Sequence, residues 1–436
     1  MGMAGHQQSF FAAAGKRPLL FSGGRIIEPD GQLRAADILV GTDGRIAAVG
    51  NAIDVPPEAL RLDVSSALIS PGFVDMHQHL DKTGVLRFTP NPSGTLQGAR
   101  EAFAKYARTA GPDDITHRAS RTMARCLSRG TTAIRSHVNV DKDAGFNGIE
   151  ALARLRDTWA ERMTMQLVAF MIPHPGQDLD WLAANVDQAL ALADAVGGTP
   201  AVSEDPERYM DILFDAAARA GKPVDLHLDE HLDANRTHLA MALDRVERFG
   251  MQGRTVFSHI SVLSALEPAR ADEILQRMIE LQVGAVTLPA ANLYLQARDH
   301  DILPPRGLTR VAELLRGGVE IATASDNIQD PFVPTGTGDM LEMARWTLLA
   351  GNLMADELRD AYRMITSIPA GLMGLAGDYG IRPGARADLV LTDCEDTDTL
   401  IAGGSGHLRV LANGRLVSET TLALPATDGA SVPEGA

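Results

Sequence analysis

Cysteine is nearly absent: Cys126 and Cys394 are the only two in 436 residues, and no Cys-x-x-Cys pairs them. That excludes a disulfide framework and a thiolate metal centre, and it fits a reducing cytoplasm. Basic residues are also in short supply, 40 Lys and Arg against 56 Asp and Glu, for a net charge of −16. Nucleic acids and anionic membranes reward a basic surface, so neither is an expected partner; a small substrate without strong negative charge is. No apolar run reaches the roughly eighteen residues that a membrane-spanning helix needs. No Gly-x-Gly-x-x-Gly follows an apolar strand and no Walker-type Gly-Lys-Ser/Thr occurs, so no phosphate cradle is indicated. In the leader, 1–17, the apolar patch Phe10 to Ala14 precedes Lys16 and Arg17, the reverse of a secretory signal. Leader and tail (425–436) are expected to be disordered.

What is present divides into two textures. From 18 to 68, short apolar runs such as Ala36-Asp-Ile-Leu-Val40 and Arg45-Ile-Ala-Ala-Val49 flank Gly-Thr-Asp-Gly at 41–44, a hairpin signature. The same texture returns over 381–424, with Ala387-Asp-Leu-Val-Leu-Thr392 and a second turn at Asn413-Gly414. The two ends are expected to build one small β domain, a sandwich, together. Between them, over 69–380, apolar strands alternate with amphipathic helices, beginning with helices at 99–108 and 114–129. Strands are predicted at 69–76, 131–138, 165–172, 194–202, 223–228, 255–259, 283–288 and 319–325. Eight such units predict an α/β fold, a (β/α)8 TIM-like barrel with its active site at the C-terminal strand ends; a doubly wound open sheet is the alternative.

The chemistry concentrates at those strand ends. His77 and His79 lie two apart, so on a strand both imidazoles face one spot, best explained by a metal ion that keeps an open position for water. A hydrogen-bonded pair of histidines is the bland alternative. Further strand ends carry His137, His174, His227, His259 and Asp326, which a barrel would bring together. The run His227-Leu-Asp-Glu-His231 also matches the inverted zinc-protease signature, which requires a helix. Here Gly221-Lys-Pro precedes the alternating Val224-Asp-Leu-His-Leu228, which reads as a strand with Glu230 in the loop beyond.

Longer motifs make a resemblance specific. Pro71-Gly-Phe-Val-Asp-Met-His-Gln-His-Leu-Asp81, Arg135-Ser-His-Val-Asn-Val-Asp141, Asp225-Leu-His-Leu-Asp-Glu230, Ser258-His259 and Ser325-Asp-Asn-Ile-Gln-Asp-Pro-Phe332 resemble the amidohydrolase superfamily, within it the cytosine deaminase branch. The likeness spans about 18 to 424. It implies one divalent metal ion, zinc or iron, held by His77, His79, His227 and Asp326. Binuclear relatives carry a carboxylated lysine after the fourth strand, and Gly197-Gly-Thr-Pro-Ala-Val-Ser203 offers none. The implied reaction is hydrolytic deamination of a small nitrogen heterocycle: metal-bound hydroxide attacks the amino-bearing ring carbon, and ammonia or an amine leaves. Asp326 and His259 can take the water's proton, and Glu230 has the reach to protonate the ring nitrogen and the leaving group.

Three positions depart from the branch. Cytosine deaminases place a glutamine after the third strand, a second carboxylate after the metal-binding aspartate and an indole over the pocket; here they are His174, Asn327 and Phe332. Histidine offers one donor and one acceptor on opposite sides of its ring, unlike an amide, so the recognised edge must differ. Substituted pyrimidines, triazines and creatinine-like ring amidines are favoured over cytosine itself, with a place in nucleobase metabolism. A cyclic-amide or N-acyl amidohydrolase on the same scaffold is the alternative. A noncatalytic binding protein would not need a proton shuttle beside a complete ligand set. Members of the branch commonly form homo-oligomers, and no interface is legible in this sequence.

Overall fold

The computed structural model describes residues 17–173 and 179–422. Eight parallel strands form one sheet in sequence order: β1 (Phe73–Gln78), β2 (Thr131–Val140), β3 (Thr164–Met171), β4 (Ala195–Gly197), β5 (Val224–Leu228), β6 (Thr255–His259), β7 (Gly284–Thr287) and β8 (Ile321–Thr323). The sequence of β2 shows how such a strand is built. Ile134, Val138 and Val140 join the main apolar core, while Arg135, His137 and Asn139 alternate with them and are also buried.

The sheet closes where β8 returns to β1. Gln78 bridges Asp326, and the Asp326 N–H donates to the His77 carbonyl at 2.8 Å. Asp75 stitches the same seam, accepting from the Ser325 N–H at 3.1 Å and the Ser325 hydroxyl at 2.5 Å. Burial pushes the Asp75 carboxyl up to about 6 against those hydrogen bonds. The result is the (β/α)8 barrel, not the open sheet.

Two helices follow β1. Helix α1 (Leu96–Ala107) starts at Thr95, whose side chain accepts from the Gly98 N–H. Helix α2 (Pro112–Ser128) begins with proline and two acids, Asp113 and Asp114, both suited to a helix N-terminus. It buries Ile115, Ala119, Met123 and Leu127, one stripe at four-residue spacing. Burying a side chain the size of Met123 contributes about 1.5–3 kcal/mol.

The chain ends meet in two further sheets. One orders Ile46–Gly50, Asp37–Val40, Leu19–Ser22 and Leu60–Asp63; the other orders Arg415–Thr421, His407–Ala412, Leu389–Thr392, Leu68–Pro71, Arg25–Ile27 and Leu33–Ala35. Leu19, Phe21 and Ile38 of the first pack against Ile26, Ile69, Leu389 and Leu391 of the second, which makes a sandwich. Val390 and Leu68 point the other way and pack with Met340, Leu341 and Ala344 of a barrel helix. The strand expected at 69–76 is therefore two: Leu68–Pro71 belongs to the small domain, and the barrel strand starts at Phe73. Gly72 is the junction, where a Cβ would lie 2.0 Å from Thr132 Oγ1. Among the described residues no helix is long and apolar enough to cross a membrane. The expected tail, and the leader up to residue 16, lie outside the described residues.

Candidate metal centre and active site

His77 ends β1 and His79 follows it, His227 sits in β5 and Asp326 just past β8, all buried. The His227 Nε2 lies 3.1 Å from both His77 Nε2 and His79 Nε2, and Asp326 Oδ1 is 3.6 Å and 3.3 Å from the same two atoms. Burial first, then neighbouring imidazoles and Lys82, drive the His77 and His79 pKa values well below the ordinary histidine range, and burial and neighbouring imidazoles do the same for His227. All three are neutral at pH 7, each with one ring hydrogen. His77 Nδ1 donates that hydrogen to Ser258 Oγ (2.9 Å), which donates onward to Asp225 Oδ1 (3.3 Å). His79 Nδ1 donates to the His137 carbonyl (3.0 Å). Both Nε2 atoms therefore present lone pairs inward, towards an Asp326 Oδ1 that accepts no hydrogen bond. Lone pairs converging in a buried site are costly, about 1–3 kcal/mol for each unsatisfied group, unless a cation lies among them. The donor set fits one divalent metal ion.

His259 lies on the other side of Asp326, its Nε2 3.9 Å from Oδ2. His77, His227, His259 and Asp326 can each bring one atom within 4.8 Å of the others, but His79 approaches the shared oxygen more closely and is the better-placed fourth donor. Asn292 Nδ2 donates to His259 Nδ1 at 3.1 Å, which leaves the ring hydrogen on Nε2. Burial lowers the His259 pKa to about 4.

Beneath the cluster, His137 stacks on His77 with ring centroids 3.9 Å apart and approaches Asp225 Oδ1 at 3.2 Å. Arg135 Nη1 donates to Asp225 Oδ2 at 2.8 Å. Burial alone would raise the Asp225 pKa, yet His137 and Arg135 hold it below the carboxylate range, so it stays charged and keeps Ser258 oriented. At the end of β4, a Cβ on Gly198 would lie 2.0 Å from the Tyr209 hydroxyl, and one on Gly197 2.3 Å from the Asp225 carbonyl. No side chain fits at either glycine, and no lysine lies between Gly197 and Ser203.

Glu230 stands in the loop after β5. Burial, then the nearby Asp326, push its pKa up to about 8, so the carboxyl carries its proton at neutral pH; Oε1 is 3.7 Å from His259 Nδ1. Its neighbour Asp229 anchors the loop, accepting from the His238 N–H and His238 Nδ1 at 2.6 Å each and from the Thr237 hydroxyl at 3.1 Å. Asp229, His259 and Asp326 all have positive φ, +49°, +67° and +59°, conformations that cost a non-glycine residue about 1–3 kcal/mol and cluster at functional sites.

A cavity of about 360 Å³ opens onto these groups, with α1 forming one wall. Asn327 and Phe332 line it, and the Asn327 Nδ2 already donates to Asp330 Oδ2 at 2.7 Å. His174 lies outside the described residues. Sequence reasoning passed over Lys82, Arg100 and Phe103 in the wall. Lys82 was within reach, three residues past His79; Arg100 and Phe103 had no local signal beyond a shared helix.

Barrel and inward-facing donor set together define a hydrolase of C–N bonds. The chain belongs to the amidohydrolase family, whose model matches residues 112–402. It is 29% identical over 392 residues to a pterin deaminase of Rhizobium rhizogenes, covering 89% of each chain. Klebsiella pneumoniae 5-methylcytosine deaminase, solved with 5-fluorocytosine, superposes with a TM-score of 0.85 at 25% identity, over 94% of this chain and 98% of that one. N-isopropylammelide isopropylaminohydrolase from Burkholderia multivorans gives 0.78 at 30%, over 93% and 99%.

Proposed function

We propose that the protein is a metal-dependent hydrolytic deaminase of a small nitrogen heterocycle, releasing ammonia or an amine. The observation that carries this reading is the place of Glu230: a buried carboxyl, its pKa raised by burial, that lines the cavity 3.7 Å from His259 and next to a cluster of inward lone pairs. The relatives support the substrate class, since pterin, 5-methylcytosine and isopropylammelide are all nitrogen heterocycles.

His77, His79, His227 and Asp326 would hold one zinc or iron ion. Bound there, such an ion lowers the pKa of a water molecule towards neutrality and so supplies a nucleophile. Asp326, whose pKa burial raises, accepts the water's proton. His259, neutral and with its hydrogen on Nε2, donates to the oxygen as negative charge develops. Glu230 gives its proton to the ring nitrogen that receives the electrons, recovers one from Asp326 and passes it to the leaving nitrogen; as the carbonyl forms, the second proton of the attacking water returns to Glu230 and restores the acid. Phe332 and Asn327 bound the ring's far side, and His174 is proposed to complete its polar edge. Two unpaired, buried cysteines, Cys126 and Cys394, support a cytoplasmic setting.

The test is nitrogen release from aminated and alkylaminated pyrimidines, triazines and pterins by the metal-loaded protein. Ammonia or amine from at least one ring is the expected result. Release from none of them, with one metal per chain, would overturn the proposal.

A further inference from the structure

Two cations in the cavity wall have no part in the proton transfers. Arg100 projects from α1, and among the described residues its guanidinium has no hydrogen bond and no ion pair within 4 Å. Its neighbour Glu101, also in the wall, accepts from Gln97 Nε2 at 2.7 Å and forms no ion pair with Arg100 within 4 Å. Glu230 lines the same cavity and acts on Arg100 through its charge, but the two form no ion pair within 4 Å.

Lys82 is buried, with its Nζ 5.3 Å, 5.3 Å and 5.2 Å from the ring centroids of Phe103, Phe170 and Phe332. The aromatic faces stabilise the ammonium without neutralising it. Its nearest polar neighbour, His79 Nδ1 at 3.0 Å, already gives its hydrogen to the His137 carbonyl and leaves no lone pair for an ammonium. No carboxylate pairs with Lys82 within 4 Å among the described residues.

Desolvated cations without counter-ions are costly, and a ligand anion removes that cost. A guanidinium offers a planar fork that fits a carboxylate through two parallel hydrogen bonds, whereas an ammonium acts as a point charge. Among the described residues, Arg100 and Lys82 thus stand as cations without an ion pair in a wall that also carries Glu101, Asp141, Glu230 and Asp326, in a chain whose net charge of −16 led to the expectation of a weakly charged substrate.

We propose that the cavity selects aminated heterocycles that carry a carboxylate, with Arg100 as the residue that determines this specificity and Lys82 adding to the positive potential. The inference rests on the deaminase reading above, of which it names the substrate class. Arg100 holds the ring by its acidic substituent, and the amino-bearing carbon is turned towards Glu230 and Asp326.

The experiment compares matched pairs on the full-length, metal-loaded protein: 5-methylcytosine against cytosine-5-carboxylate, and pterin against pterin-6-carboxylate. Dissociation constants come from calorimetry and kcat/KM from ammonia release. In at least one pair the carboxylate should bind about tenfold or more tightly than its neutral partner, as expected for a charge-assisted pair. Arg100→Gln should bring that ratio close to one, and Arg100→Lys should keep part of it, with thermal melts recorded for both. Equal or weaker binding of both carboxylates by the unaltered protein, or a ratio that survives Arg100→Gln, would overturn the inference. If only Arg100→Lys folds, a ratio undiminished in that variant overturns it too. Selective binding without ammonia from any ring would sink the deaminase reading and keep the anion site; turnover without selectivity would do the reverse.

Discussion

Ser258 Oγ takes the ring hydrogen of His77 at 2.9 Å and hands its own to Asp225, so one hydroxyl decides which nitrogen of His77 faces the cluster. Neutral imidazole has two tautomers, and only one presents a lone pair on Nε2. Ser258→Ala should release that choice and weaken metal affinity by roughly 10–100-fold, the usual effect of losing such a supporting bond. Competition with a coloured chelator measures it; unchanged affinity would show that the stacked His137 suffices.

Removing a donor outright is more severe. His227→Ala should leave less than one metal per chain and no turnover, as should chelation of the unaltered protein. Metal analysis by emission spectroscopy reads the first, and restored activity on adding zinc or ferrous iron to the chelated protein reads the second. A variant that keeps both full metal and full rate would show that His227 is not a ligand.

Glu230→Gln keeps the shape and removes the proton. Turnover should fall by roughly 10²–10⁴ with metal content intact. Loss of metal instead would make Glu230 a ligand.

The same carboxyl predicts a pH dependence. Its folded pKa, about 8, lies above the ordinary value of 4.5, so the folded state holds a proton that the unfolded chain has released. Its stability contribution is present in full below about 4.5 and is lost as the pH rises through about 8. Activity should decline over the alkaline part of that window, because the acid form does the work. In urea titrations from pH 5 to 9, Glu230→Gln should flatten the alkaline fall in stability; an identical slope in both proteins would contradict the assignment.

Converting Asn327 to the carboxylate of cytosine deaminases is not a simple gain of an acceptor. Asn327 Nδ2 donates to Asp330, a buried carboxyl already pushed up to about 7. Asn327→Asp places two carboxylates face to face, where they share one proton. The melting temperature should drop, and by more at pH 8.5 than at pH 5.5. An equal drop at both would point to packing instead.

The barrel was legible because most of its strands are apolar runs that alternate along the chain with amphipathic helices. The exception, 69–76, failed for a physical reason: the apolar run continues through Pro71-Gly72 while the chain passes from one sheet to another, and hydrophobicity does not record which sheet buries it. Site residues on strand ends were legible for the same reason, since topology brings all such ends together. Arg100 was not, because nothing in an isolated helix says that its wall closes over β1. The Asp229–His238 pairing depends on the curvature of the ten-residue loop 229–238, which local sequence does not fix.

The seam between β1 and β8 is held by few hydrogen bonds, and one of them runs from the backbone of Asp326 to that of His77. Two of the four donors thus sit on opposite sides of the last join to be made. A nascent chain whose eighth strand has yet to be synthesised has the three imidazoles but lacks Asp326, so the proposed ligand set is complete only once the ring shuts. If those residues hold the proposed ion, a four-donor site would certify that folding had run to its last join.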